Sequence, residues 1–145
     1  MVKYLPLFLI RFDMQKYINE MVLLAKKAAL HAYVPLCKFN VGACIRTIEG
    51  KLFNGCNWEN AATPLSQCAE TSALSAMLTA GYKNISDVVL VTPKLVCMPC
   101  GACRQRLIQF SDSETNFYSY NMDNEQLKNI KLNKLLPDKF TWELS

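Results

Sequence analysis

Read for its apolar and polar rhythm, the chain opens on a helix. Over residues 14–31, Tyr17, Met21, Leu24 and Ala28 recur every three or four positions with Lys16, Glu20 and Lys27 between them. That period gathers the apolar set on one helical face. Asp13-Met14 reads as the start of this helix, which makes residues 1–13 an N-terminal extension and 14–145 the domain proper. Tyr33-Val34-Pro35 ends it, because the residue before a proline is pushed out of the helical region. Two short segments, 39–46 and 51–58, are joined through Ile48-Glu49-Gly50 and predict an antiparallel hairpin. Thr63-Pro64 opens a second helix over 66–80, stopped by Gly81. The unbroken apolar run 88–91, inside a strand over 87–92, predicts burial on both faces. Pro99 begins a third helix reaching about residue 110, a fourth strand covers 116–120, and a last helix is predicted over 124–136, ended by Pro137. Strand–helix–strand order after the hairpin implies a right-handed crossover, hence an α/β fold with a mixed sheet covered by helices.

Composition narrows the function classes. With 145 residues, 51% hydrophobic and 19% charged, the chain makes one domain with a core of its own and is no disordered segment. The apolar stretch 5–10 is interrupted by Pro6 and closed by Arg11, far short of the about 20 residues that span a bilayer. No small-residue cleavage site follows it, so neither a membrane anchor nor a signal peptide is expected. The net charge of +4 is slight and no basic block exceeds Lys26-Lys27, so a nucleic-acid partner is not expected. Seven cysteines, an odd number, without a secretory signal point to a reducing, cytoplasmic compartment and to work other than disulfides.

The chemistry concentrates at Pro99-Cys100-Gly101-Ala102-Cys103. Two cysteines three apart on a first helical turn suit a tetrahedral metal or a redox dithiol, and alone they do not decide between these or two buried thiols. The single histidine, His31, reads as a capping or solvent-facing group, and no C-x-x-C lies outside residues 97–103. A third metal ligand is better sought at Cys68-Ala69-Glu70, where a cysteine opens another predicted helix. Glu70 shares a helix face with Leu74 and Met77 and so points inward. A buried carboxylate has its pKa raised toward neutrality, the condition wanted of a proton shuttle; the plain alternative is a glutamate complementing a helix dipole. Three thiolates around Zn²⁺ leave a net negative charge, which two helix N-termini at Cys68 and Cys100 offset. Three protein ligands leave a fourth position open, the mark of a catalytic zinc.

Cys68-Ala69-Glu70 followed by Pro99-Cys100-x-x-Cys103 resembles the zinc-dependent cytidine deaminases, specifically the small homotetrameric type. Residues 33–43, 55–61, 68–70, 99–105 and 135–140 all fall in that family's order. The resemblance implies a three-layer α-β-α sandwich around a mixed sheet of about five strands. It implies Zn²⁺ held by Cys68, Cys100 and Cys103, with Glu70 moving protons while cytidine or deoxycytidine is hydrolysed to the uridine and ammonia. It further implies that Asn57 and Glu59 bind the sugar from one side of a strand with Trp58 packed behind, that Phe39 packs on the pyrimidine, that the Ala69 backbone meets the base edge, and that Phe140 reaches a neighbouring subunit's site. Thr71 stands where the family usually has an arginine, Thr63 where an aromatic is common, and Leu36-Cys37 where Tyr-Ser is common; Arg104 is a candidate to carry more of the charge balance. Cys37, Cys44, Cys56 and Cys97 read as buried structural thiols, with Cys97 close to the site. The rivals are a deaminase of another cytosine compound, such as a modified nucleoside or a blasticidin S-type antibiotic, and a non-catalytic zinc-stabilised RNA-binding or interaction module. The Asn57-x-Glu59 pair argues against the antibiotic, and a closed four-ligand site would mark the module.

Overall fold

The computed structural model describes residues 7–142, with side chains from Met14 onward. Its elements run α1 (Leu7–Ala29), β1 (Gly42–Thr47), β2 (Leu52–Cys56), α2 (Ala69–Thr79), β3 (Ile85–Thr92), α3 (Gly101–Ile108), β4 (Asn116–Asn121) and β5 (Leu127–Lys131). Short 3-10 turns occupy Thr63–Leu65 and Leu132–Leu135. The five strands form one sheet in the order β2-β1-β3-β4-β5, antiparallel except for the β3–β4 pair. The parallel pair is the one connected through α3, since parallel neighbours need a crossover.

Period-two alternation sends the central strands' side chains into two cores. On one face Ile18, Met21 and Ala25 of α1 meet Cys44, Val89, Val91 and Tyr118. On the other, Ala73, Leu74 and Met77 of α2 and Leu107 of α3 meet Ala43, Ile45, Val88, Leu90 and Phe117. Helix, sheet and helix layers result, as the resemblance implied. Two glycines set the layer spacing: a Cβ at Gly42 would strike the Ala25 carbonyl of α1, and one at Gly55 would strike Ser72 and Ala73 of α2.

Three expectations need correction. The first helix begins by Leu7 and does not wait for Met14, so it runs back into the stretch expected as an extension; residues 1–6 of that stretch lie outside the described residues. The second helix begins at Ala69 and not at residue 66. Trp58 N–H donates to the Gln67 carbonyl (3.0 Å) and Gln67 N–H to the Trp58 carbonyl (2.9 Å), which holds that segment extended. The helix predicted over 124–136 is β5 and a 3-10 turn. Leu127, Ile130, Leu132 and Leu135 imitate helical spacing, but the outer edge of β4 needs hydrogen-bond partners, and Asn side chains close the hairpin that supplies them. Asn121 Oδ1 accepts from Asp123 N–H (2.9 Å), Asn124 Oδ1 accepts from Gln126 N–H (3.1 Å), and Glu125 takes a left-handed φ of 58°.

Candidate active site

The correction at α2 matters to the site, because it makes Cys68 the residue that caps the helix. Cys68 and Cys100 occupy equivalent places: each is the extended residue before the first turn of α2 or α3, and neither side chain caps its own helix. Both thiols are therefore free to meet. Cys68 Sγ and Cys100 Sγ stand 3.8 Å apart, and with Cys103 Sγ all three lie within 4.8 Å of one another. Zinc–sulfur bonds of about 2.3 Å in a tetrahedron put sulfurs about 3.8 Å apart, the spacing of the Cys68–Cys100 pair, so the donor set fits Zn²⁺ in type and close to it in spacing. Two helix N-termini converge on the trio and lend positive potential to three thiolates.

Charge balance points the same way. The Cys103 thiol is held far above its ordinary range by its hydrogen bond with Cys68, then by burial, then by the charge of Glu70. Thiols and a carboxylate packed this closely ionise together only beside a cation. Glu70, 4% exposed, has its carboxyl raised by burial against smaller lowering from its own backbone N–H and from Cys103. Thr71 Oγ1 lies 3.5 Å from Cys103 Sγ, so a neutral hydroxyl contacts a zinc-ligand candidate. Arg104 donates to the Pro99 carbonyl (2.8 Å) and the Leu135 carbonyl (2.9 Å), pinning the loop before Cys100 to the 3-10 turn at Leu132–Leu135.

A cavity of about 170 Å³ opens beside the trio, with Phe39, Asn57, Cys68, Ala69 and Glu70 on its walls. It is smaller than the roughly 300 Å³ at which drug-sized pockets begin, and so suits a single small ring. Val41, Leu90, Thr92, Cys97 and Met98 complete the lining. Sequence reasoning noticed Cys97 alone of these; Thr92 had a signal, since it ends β3 at the carboxyl side where α/β sheets place ligands.

Of the expected sugar pair, Asn57 lines the cavity and Glu59 does not. β2 ends at Cys56, so neither lies on a strand. Both nonetheless face one loop: Asn57 Oδ1 accepts from Val41 N–H and Asn57 Nδ2 donates to the Phe39 carbonyl (2.9 Å each), while Glu59 accepts from Leu36 N–H (2.7 Å) and Cys37 N–H (3.1 Å). Trp58 is 37% exposed. Phe140 lies away from the cavity, in a groove with Trp142, Leu74 and Phe110, with its carbonyl accepting from Gln105 Nε2 (2.9 Å). His31 is solvent-facing as expected. Cys44 is buried and Cys56 and Cys97 are half-buried, but Cys37 is exposed, because the turn that carries it is held by backbone bonds and not by a core.

The family model describing the cytidine and deoxycytidylate deaminase zinc-binding region matches residues 15–119. The chain is 34% identical over 132 residues to a cytidine deaminase of Sporosarcina psychrophila, covering 90% of this chain and 93% of that protein. The crystal structure of cytidine deaminase from Burkholderia pseudomallei superposes with a TM-score of 0.79 at 37% identity, over 84% of this chain and 98% of that one. That from Mycobacterium tuberculosis gives 0.70 at 33% identity, over 86% and 97%. Among the described residues, no helix is long and apolar enough to cross a membrane. Sheet order, cysteine trio and sequence agreement coincide over the same stretch, and the chain belongs to the cytidine and deoxycytidylate deaminase family of zinc-dependent hydrolytic enzymes.

Proposed function

We propose that this protein hydrolyses cytidine and 2'-deoxycytidine to uridine and 2'-deoxyuridine with release of ammonia, in pyrimidine salvage. One observation carries the reading: three sulfurs lie within 4.8 Å of one another, and one of them, on Cys68, belongs to the wall of a small cavity that also holds the buried carboxylate of Glu70. Cys68, Cys100 and Cys103 hold the zinc. When bound there, the metal supplies the Lewis acidity that makes water a nucleophile near neutral pH.

The chain's own residues do the rest. Phe39 packs on the pyrimidine face, and Ala69 presents the first helical turn's unpaired backbone groups to the base edge. Asn57 and Glu59 take the sugar hydroxyls, an amide that both donates and accepts beside a carboxylate that only accepts. Glu70 receives a proton from the attacking water and delivers it to N3 of the ring. As oxygen adds at C4 and the C4–N bond breaks, Glu70 passes the second water proton to the departing amine, so water and cytidine balance as uridine and ammonia. Among the described residues, no lysine or arginine lines this cavity, which favours a nucleoside over a nucleotide.

The assembly reading is a homotetramer with sites shared between subunits. Leu30, Tyr33, Leu36 and Leu65 stay exposed, and Phe140 is 70% exposed and off its own chain's cavity; both features support burial against other copies. Residues 14–145 form the catalytic domain with 1–13 as its extension. Seven free cysteines support a cytoplasmic, reducing setting.

The test is ultraviolet-monitored conversion of cytidine by the zinc-loaded protein beside Glu70→Gln. Loss of about 10²–10⁴-fold in kcat with zinc retained is expected from removal of a general acid–base group. Turnover unchanged by Glu70→Gln would overturn the mechanism.

A further inference from the structure

The loop between β3 and α3 supplies part of the cavity wall through Cys97 and Met98, both half-buried against the core. Among the described residues, no backbone hydrogen bond joins 93–98 to the rest of the chain. Two side chains hold the loop at its ends instead. At the strand end the Thr92 hydroxyl donates to the Leu95 carbonyl, across a bend that opens with Pro93, while the Thr92 carbonyl accepts from Met122 N–H (2.9 Å). At the helix end Arg104 Nε donates to the Pro99 carbonyl (2.8 Å). Cys97 and Met98 lie between these two fixed points.

The wall they complete is apolar. Val41, Leu90 and Met98 carry no side-chain donor, the Cys97 thiol is a weak one, and Thr92, 1% exposed, has its hydroxyl proton committed to Leu95. A cytosine ring bears nitrogen or oxygen at every position of its rim except C5 and C6. The other lining residues already answer the polar positions: Asn57 on the sugar side, Cys68 and Glu70 at C4 and N3, and Ala69 at the base edge, with Phe39 on the ring face. We propose that the wall of Cys97 and Met98, held in place by Thr92, faces the C5 edge of the pyrimidine and sets the tolerance for substituents there, with Met98 as the specificity-determining side chain. The proposal rests on the reading that a cytosine nucleoside is the substrate. At about 170 Å³ the cavity is filled by one ring, so a group added at C5 must displace this wall.

The experiment measures kcat/KM for cytidine and 5-methylcytidine with zinc-loaded wild type, Met98→Ala, Met98→Leu, Thr92→Val and Thr92→Ser. The wild type favours cytidine by about tenfold or more, the worth of one extra carbon in a filled apolar pocket. Met98→Ala makes room and removes most of that preference, whereas Met98→Leu conserves volume and keeps it. Thr92→Val frees the loop and erodes the preference in the same direction, and Thr92→Ser, which retains the hydroxyl, preserves it. A purely structural role for Thr92 would lower Tm and depress both substrates together, leaving their ratio alone. Equal use of the two nucleosides by the wild type, or a ratio unmoved in Met98→Ala or in Thr92→Val, overturns the proposal and leaves the functional reading standing. Zinc-loaded wild type that turns over no cytidine overturns both.

Discussion

Gly55→Ala offers a sharp test of how packing serves the chemistry, because it lies on β2 and touches no zinc ligand. A methyl there would stand 2.7 Å from Ser72 Cβ and 2.8 Å from the Ser72 carbonyl carbon, and would strike the Ala73 nitrogen. Ordinary contact begins at 3.4 Å, so α2 must retreat by at least about 0.7 Å. The backbone of both elements blocks relief by a side-chain rotation. α2 is preceded by its cap residue Cys68 and carries Glu70 in its first turn, whereas Cys100 and Cys103 belong to α3 and its cap. The retreat therefore separates one sulfur from the other two by more than the roughly 0.2 Å that metal–ligand distances tolerate. Overpacking of this kind costs about 1–3 kcal/mol, divided between α2 packing and the zinc site. Three readouts follow: faster zinc release to a chelator, a lower Tm, and kcat reduced by up to about 100-fold, the scale of a 1 Å misplacement. Gly101→Ala is the control, since its methyl meets nothing within 4 Å and removes a glycine from a helix. Wild-type zinc release and kcat in Gly55→Ala would refute the argument that this contact sets the position of α2.

Two further predictions concern sulfur. Thr71→Val removes the hydroxyl from beside Cys103 Sγ, and zinc release to a chelator accelerates about fivefold, the worth of one hydrogen bond, while Thr71→Arg slows it; equal release rates for all three proteins would discard the idea. Cys44, fully buried under α1, has its thiol pushed up from 9.0 to about 12 by burial first and the charge of Glu20 second. A raised acid favours the folded state until it ionises, so its contribution is whole below about pH 9, where the unfolded thiol is still protonated, and is lost as pH rises toward about 12. Urea unfolding of Cys44→Ala between pH 8 and about pH 11 should fall less steeply with pH than the wild type.

The chemistry was legible in the chain because its residues come in short local patterns. Cys68-Ala69-Glu70 and Cys100-x-x-Cys103 each sit at a helix start, and helical spacing alone turned Glu70 toward Leu74 and Met77, both buried beside it. The buried strand around residues 88–91 was equally plain, since an unbroken apolar run cannot face water. At 127–135 the same reasoning misled: apolar spacing imitated a helix, and the edge of β4, remote in sequence, decided for a strand. Glu59 was expected to bind the sugar, and the structure shows its carboxylate holding the backbone of Leu36 and Cys37, more than twenty residues away. Local sequence could name the candidate zinc ligands because side-chain type and helix phase are properties of neighbours. That the sulfurs of Cys68 and Cys100 meet at 3.8 Å, that Gly55 lets α2 come close enough for this, and that Cys37 is exposed depend on contacts between distant segments, and only the packed chain decides those.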